Sequence, residues 1–154
     1  MLIDKETICL DIDTNQKLDA IDYLVNVAYQ NDKIIDKDQY KQAILAREEE
    51  FSTALGYLVA IPHGQSDTVK EPFVIFGRTK NTLIWDEHEV RLIFMIGVPM
   101  KNRDKTHMKI LANISRKLLD DDFREKLLEA KDQNAVLQIL NDINCREENE
   151  EWKL

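Results

Sequence analysis

The chain has 154 residues, of which 44% are hydrophobic and 32% charged, and its formal net charge at pH 7 is -8. This length predicts one domain over residues 1–154, with enough chain to bury a core. The negative charge argues against a protein that neutralises nucleic-acid phosphates or docks on anionic lipid, so we expect no nucleic-acid partner.

Cysteine usage and hydropathy narrow the class of protein further. Cys9 and Cys145 lie far apart and form no C-x-x-C pair, which indicates neither a zinc site nor a redox motif. The N-terminus lacks the apolar run of a signal peptide. The longest apolar run, 92–98, is too short to span a bilayer. We therefore expect a cytoplasmic protein without direct membrane insertion, whose charged residues 146–154 form a frayed tail.

Hydrophobic periodicity predicts elements in the order β-α-α-β-β-β-α-α-α. A strand at 7–12 precedes a helix capped within 13–15, and a second helix opens at 36 with a capping-box-like start. The later predictions are strands at 57–61, 73–77 and 90–98, then helices at 104–119, 122–130 and 134–143. This order predicts an α+β fold, with a mixed β-sheet flanked by helices on both faces.

The run 55–61 ends abruptly in Pro62-His63-Gly64, which places an imidazole at the exposed end of a buried strand. Imidazole has an unperturbed pKa of about 6.5, so it offers a neutral nucleophile for phosphoryl or acyl transfer. Pro62 fixes φ, and Gly64 leaves space for a phosphate or a partner's backbone. The alternative is a loop histidine without a role, and this local pattern does not separate the two.

Two further residues join the candidate site. His107 lies in the first turn of the helix predicted at 104–119, where free N–H groups favour negative charge, although a core histidine is the alternative. Arg47, at the end of the second helix, is suited to brace a phosphate with forked hydrogen bonds. Its alternative is a surface ion pair with the acidic residues 48–50. His88 is interpreted as a turn residue between strands.

Several motifs are missing from the sequence. It contains no G-x-x-x-x-G-K-[ST], G-x-G-x-x-G, H-E-x-x-H or EF-hand spacing. We therefore predict no cofactor and no metal site. A phosphoryl-transfer protein without a nucleotide site must take its phosphoryl group from a donor that is already activated.

The signature around the histidine resembles that of the fructose/mannitol-type enzyme IIA domain of the bacterial phosphoenolpyruvate-dependent sugar phosphotransferase system. The residues that carry this resemblance are Glu48, Leu55, Gly56, Val59, Ala60, Ile61, Pro62, His63 and Gly64. It extends to Arg47-Glu48 followed by Ser52-Thr53, to the strand 91–99 and to Thr106-His107, and it covers about residues 5–143. Where the family usually has Thr-Gly-Ile-Gly, this chain has Thr53-Ala54-Leu55-Gly56, which bears on sugar subtype or partner fit.

The resemblance implies a three-layer α/β/α fold and a phosphoryl shuttle. The histidine phosphocarrier protein would donate to Nε2 of His63, and the phosphoryl group would pass to a cysteine of an enzyme IIB domain for sugar uptake. His107 would be the second active-site histidine and Arg47 the family's arginine. A nitrogen-type regulatory enzyme IIA is the first alternative, and a metal-dependent hydrolase using both histidines is the second. Cys9 lacks a following phosphate loop, so the chain is not itself the IIB partner.

Overall fold

The computed structural model describes residues 2–100 and 106–148, without the side chains of residues 106–107 and 144–148. A single 3₁₀ turn, Lys5–Thr7, precedes the first strand. The strands are β1 Ile8–Ile12, β2 Ala54–Gly56, β3 Leu58–Ala60, β4 His63–Gln65, β5 Phe73–Trp85 and β6 His88–Val98. The helices are α1 Lys17–Gln30, α2 Lys37–Glu50, α3 Thr106–Lys117, α4 Asp121–Glu129 and α5 Gln133–Glu148.

The strands form one mixed sheet in the order β1-β5-β6-β3-β2, and β4 also pairs with β6. The long β5–β6 hairpin is antiparallel, whereas β1 is parallel to β5 and both β3 and β4 are parallel to β6. One apolar cluster packs on each face of this sheet, with α1 and α2 on one side and α3, α4 and α5 on the other. The predicted α+β fold with three layers is confirmed.

The strand β6 supplies both cores because its side chains alternate between the two faces. Phe94 and Ile96 pack in the cluster that includes α3, α4 and α5, whereas Ile93 and Met95 pack in the cluster that includes α1 and α2. All four side chains are fully buried. Because this strand is covered on both faces, its sequence is a near-continuous run of apolar residues.

The strand predicted at 57–61 is present as β3, one residue shorter at each end, but the short strands β2 and β4 on either side of it were not predicted. Three successive residues, Gly56, Tyr57 and Leu58, have φ of 87°, 56° and 67°, which produces the tight turn between β2 and β3. Pro62 then interrupts β-pairing, since it has no N–H to donate. Its carbonyl still accepts the N–H of Ile96 at 3.0 Å, so pairing with β6 resumes at His63.

Two other boundaries differ from the predictions. The strand predicted at 73–77 continues to Trp85, because pairing with β6 resumes at Leu83 after a register shift, although the polar stretch 78–82 has no apolar pattern. His88 is therefore the first residue of β6, paired with Trp85, and not a turn residue. At the C-terminal end α5 continues to Glu148, so the start of the predicted tail is helical, while residues 149–154 lie outside the described residues.

The two predicted helix starts have different outcomes. Asp36 caps α2 by accepting the N–H of Gln39 at 3.2 Å, as its capping-box-like sequence indicates. The cap of α1 is Gln16, which makes no side-chain capping bond, so the predicted cap within 13–15 is wrong. Thr14 instead accepts the N–H of Gln16 at 3.2 Å and turns the chain before the helix. Among the described residues, no helix has the length and apolarity to span a membrane.

Gly97 allows β6 to pass directly beneath a buried ring, and we expect Gly97→Ala to destabilise the fold. An added Cβ would lie 2.3 Å from Cε2 of Phe73, which is itself buried. Overpacking of this kind lowers the free energy of unfolding by about 1–3 kcal/mol, measurable by urea denaturation. Adding Phe73→Leu should recover part of the loss, and an unchanged unfolding midpoint in Gly97→Ala would contradict this packing account.

Candidate functional site

His63 begins β4 and is paired with Ile96 of β6, so its backbone is fixed by the centre of the sheet. Its ring is half-buried, and Nδ1 lies 2.9 Å from the carbonyl oxygen of Ile61. Because a carbonyl oxygen only accepts, this contact requires the proton on Nδ1. The other nitrogen, Nε2, then carries the lone pair of the ring and is the atom that can act as a nucleophile.

Arg47 lies in the last turn of α2 and reaches the same ring. Its Nε donates to Nε2 of His63 at 3.2 Å, and its Nη1 donates to the carbonyl of Phe51 at 2.9 Å. The first contact needs Nε2 as an acceptor, which agrees with the tautomer set by Ile61. In the described part of the chain, the hydrogen bonds of Arg47 go to these two groups and not to the acidic residues 48–50. The geometry therefore favours an anion-bracing role over a surface ion pair.

A cavity of about 250 Å³ opens at these two side chains. Its lining is Ala43, Arg47, His63, Gly64, Gln65 and Val98. Gly64 itself is buried, and a Cβ there would lie 3.2 Å from Cβ of Ala43 and 3.3 Å from the backbone nitrogen of Ile44. The glycine thus gives α2 room to pack on β4, which corrects the expectation that it leaves open space for a phosphate.

His107 lies in the first turn of α3, which begins at Thr106 as the sequence predicts within two residues. Its side chain lies outside the described residues, so its place beside His63 stays a prediction. Of the three predicted site residues, the described side chains bring together Arg47 and His63. Within the described residues, no three His, Cys, Asp or Glu side chains form a group that could hold a metal ion.

Glu48 lies in the family signature and in the acidic run 48–50, but the burial of its side chain was not predicted from the sequence. The buried residues of α2 are Tyr40, Ile44 and Glu48, spaced by four, so Glu48 continues the buried face of the helix. Its carboxylate accepts the indole N–H of Trp85 at 3.1 Å. The signal that could have revealed this burial is the spacing itself, which the charge of Glu48 obscured.

Comparison with known proteins assigns the chain to a family. The family model described as "Phosphoenolpyruvate-dependent sugar phosphotransferase system, EIIA 2" matches residues 1–143. The chain belongs to this enzyme IIA family. It is accordingly a phosphotransferase of that system, and the predicted resemblance is confirmed.

Curated enzyme IIA relatives carry fructose names. The chain is 35% identical over 141 residues to the fructose-specific EIIA component of Haloferax volcanii, covering 90% of this chain and 91% of that protein. It is 35% identical to the fructose-like EIIA component of Escherichia coli, covering 86% and 90%. It is 36% identical to the fructose-specific EIIABC component of Bacillus subtilis, of which it spans only 22% while 91% of this chain is covered.

Solved structures of enzyme IIA proteins share the fold. The nitrogen regulatory protein IIA-Ntr of Neisseria meningitidis superposes with a TM-score of 0.83 at 27% identity, covering 90% of this chain and 96% of that one. The mannitol enzyme IIA of Escherichia coli superposes with a TM-score of 0.78 at 24% identity, covering 91% and 99%. The same mannitol protein has also been solved in complex with phosphorylated enzyme IIB.

Aromatic side chains near the enzyme IIA site differ in exposure. Phe51 and Tyr57 are 78% and 67% exposed, whereas Phe73 is buried and packs its ring 5.5 Å from that of Tyr40. Phe73 therefore belongs to the core, whereas Phe51 and Tyr57 face solvent. Tyr57 stacks under the guanidinium of Arg124 at 4.4 Å, which holds its exposed ring in place.

Cys9 of this enzyme IIA is buried in β1, and burial raises the pKa of its thiol from 9.0 to about 11. Ionisation is thus easier in the unfolded chain, so the stability held below pH 9 is lost as the pH rises towards 11. In a Cys145→Ser background, we expect the free energy of unfolding to fall between pH 8 and pH 10.5 by about 2 kcal/mol more with Cys9 than with Cys9→Ala. Parallel pH profiles of the two proteins would contradict this effect.

Proposed function

We propose that this chain is a phosphoryl carrier for sugar uptake, which accepts phosphate from the histidine phosphocarrier protein on His63 and passes it to a cysteine of enzyme IIB. The observation that carries the proposal is the orientation of the His63 ring. Nδ1 is engaged by the Ile61 carbonyl at 2.9 Å, while Nε2 meets Arg47 at the cavity. The fructose names of the curated relatives favour a fructose-type pathway.

The transfer step follows from this orientation. Arg47 transfers its hydrogen bond from Nε2 to a phosphoryl oxygen, Nε2 of His63 attacks phosphorus, and the P–N bond to the donor imidazole breaks with its electron pair returning to the donor ring. The proton stays on Nδ1 and is donated in a hydrogen bond to the carbonyl of Ile61, whose dipole stabilises the positive charge that develops on the ring. A thiolate of enzyme IIB then attacks phosphorus, the Nε2–P bond breaks, and the His63 ring regains its lone pair.

Arg47 supplies the positive charge that stabilises the transferred phosphoryl group. Its guanidinium is already 3.2 Å from Nε2, so a phosphoryl group bound there would place oxygens within reach of its N–H groups. We propose that His107, in the first turn of α3, assists at the same oxygens. The protein contributes position and preorganised donors, which are the main means of catalysing phosphoryl transfer.

A regulatory enzyme IIA of the nitrogen type is the second candidate. The observation that favours it is the superposition on the nitrogen regulatory protein of Neisseria meningitidis, with a TM-score of 0.83 at 27% identity. Such a protein accepts the same phosphoryl group but signals with it. The two candidates therefore differ in what happens after phosphorylation.

The test is phosphorylation from labelled phosphoenolpyruvate in the presence of enzyme I and the phosphocarrier protein. We expect one phosphate per chain, labile in acid and stable in base, because a phosphohistidine behaves in this way. Chase with a fructose-type enzyme IIB should move the label to its cysteine. No label, or an acid-stable label, would overturn the carrier proposal, and label that no IIB accepts would favour the regulatory candidate.

A further inference from the structure

A buried carboxylate lies one residue after Arg47 in α2. The side chain of Glu48 is 4% exposed, and it accepts hydrogen bonds from Lys17 Nζ at 2.9 Å and from Trp85 Nε1 at 3.1 Å. It also accepts the backbone N–H of Thr53 at 3.3 Å and the hydroxyl of Thr53. A buried charge is tolerated only with such partners. Here they come from α1, from β5 and from the loop that leaves α2.

Thr53 connects this carboxylate to the imidazole. Its carbonyl accepts the N–H of Ile61 at 3.0 Å, and the carbonyl of Ile61 is the group that Nδ1 of His63 meets at 2.9 Å. The orientation of the ring therefore depends on where Ile61 is held. The position of Ile61 depends in turn on Thr53, which Glu48 contacts twice.

The same loop also reaches the other ring nitrogen. The carbonyl of Phe51 accepts Nη1 of Arg47 at 2.9 Å, and Nε of that arginine donates to Nε2 of His63 at 3.2 Å. Residues 51–53 are thus linked to both ring nitrogens by hydrogen bonds, to Nδ1 through Ile61 and to Nε2 through Arg47. A displacement of this short loop would disturb the tautomer and the anion-bracing group together.

Lys17 completes the support of the loop. Its Nζ bridges Glu48 to Asp86, at 2.9 and 2.8 Å, and lies 5.3 Å from the centre of the Trp85 ring. Burial acts to raise the pKa of Asp86, but hydrogen bonds from Lys17 and Ser52 outweigh it, and the net pKa is lowered. Burial acts to lower the pKa of Lys17, yet its bonds to Asp86 and Glu48 leave the pKa raised. Both groups are therefore charged at neutral pH. Asp86 accepts a hydrogen bond from Ser52, and Lys17 pairs with Glu48, which accepts the N–H of Thr53.

We propose that Glu48, supported by Lys17, is a positioning residue for phosphoryl transfer, which acts through residues 51–53 to fix the Nδ1-protonated tautomer of His63. This inference rests on the proposed function, because it concerns the same imidazole. It assigns a role to a residue that touches neither the phosphoryl group nor the ring. The competing account is that Glu48 only stabilises the fold.

The experiment compares Glu48→Gln with the parent chain in two measurements. The amide keeps the shape of the side chain but removes its charge. It also replaces one acceptor oxygen with an NH₂ group, which then faces the donors that bound that oxygen. Imidazole ¹⁵N NMR of the unphosphorylated protein should show one dominant tautomer in the parent and a mixture in Glu48→Gln. The initial rate of labelling from phosphoenolpyruvate should fall about 10-fold or more. Thr53→Val, which replaces only the hydroxyl with a methyl group, should shift both measurements in the same direction but by a smaller amount than Glu48→Gln.

A control separates positioning from loss of stability. Asp120→Ala removes the side-chain cap of α4, a contact to Asp122 at 3.0 Å, and should cost about 1 kcal/mol of stability. It should leave the tautomer and the labelling rate unchanged. A single tautomer and a labelling rate within twofold of the parent in both Glu48→Gln and Thr53→Val would overturn the inference. If Glu48→Gln fails to fold, Thr53→Val decides alone.

The two proposals fail in different ways. The tautomer measurement needs no phosphoryl donor, so it reports on Glu48 even if the parent chain accepts no label. If the parent is labelled normally and the variants keep both the tautomer and the rate, the role of Glu48 is excluded and the proposed function stands. A parent that accepts no label, with a tautomer that changes in Glu48→Gln, removes the proposed function and keeps the positioning.

Discussion

A His63→Gln variant is expected to accept no phosphate from phosphoenolpyruvate when enzyme I and the phosphocarrier protein are present. Glutamine preserves a polar side chain at the start of β4 but offers no nitrogen lone pair of comparable nucleophilicity. Because the backbone of residue 63 is fixed by pairing with Ile96, the variant should fold with a nearly unchanged unfolding midpoint. The loss therefore measures chemistry, and labelled protein separated on a denaturing gel is a sufficient assay.

His88→Gln is the matched control for that loss. His88 is exposed at the start of β6, where it pairs with Trp85 at the end of the hairpin. We expect this variant to accept phosphate as the parent does. If His63→Gln kept the label and His88→Gln lost it, His88 and not His63 would be the phosphate acceptor.

Arg47→Ala should slow phosphoryl acceptance by about 10²- to 10³-fold, the usual effect of removing one preorganised donor to a developing anion. Nε of Arg47 lies 3.2 Å from Nε2 of His63, and the side chain lines the cavity where the phosphoryl group would bind. Arg47→Lys should recover only part of the rate, since an ammonium has no planar fork to hold both the Phe51 carbonyl and a phosphoryl oxygen. Initial rates of labelling at saturating phosphocarrier protein provide the measurement.

Lys41→Ala controls for the charge of the helix. Lys41 lies on α2 as Arg47 does, but its Nζ pairs with Asp22 at 2.6 Å on the side facing α1. Removing it takes away one positive charge and leaves the ring contacts of His63 intact. We expect a labelling rate within about twofold of the parent, because a partly exposed ion pair contributes little. An equal loss in Lys41→Ala and Arg47→Ala would reduce the role of Arg47 to general electrostatics.

The main elements of the fold could be predicted because their apolar residues follow a simple period. The run 90–98 alternates between two buried faces, and α3 has its apolar stripe at helical spacing. The separation of β2 from β3 could not be predicted in this way. It arises from positive φ at Tyr57 and Leu58, two residues that rarely adopt it. Tertiary pairing with β6 imposes this turn, and no local pattern encodes it.

The candidate site was predictable to a different degree for each residue. His63 and Arg47 are chemically distinctive, and each follows or ends an element whose pattern is clear, so their roles could be hypothesised before their contact was known. Glu48 stands in the family signature, but its charge hid its place on the buried face of α2. Its partners Lys17 and Trp85 come from segments distant in sequence, and only the fold brings them together.

We expect Nε2 of His63 to carry the phosphoryl group while Nδ1 stays protonated against the carbonyl of Ile61. The direct measurement is ¹⁵N and ³¹P NMR of ¹⁵N-histidine-labelled protein, phosphorylated from phosphoenolpyruvate through enzyme I and the phosphocarrier protein. The expected result is a ³¹P–¹⁵N coupling to Nε2 of His63 and a retained proton on Nδ1. Phosphorus bonded to Nδ1 of His63, or to any other residue, would contradict it.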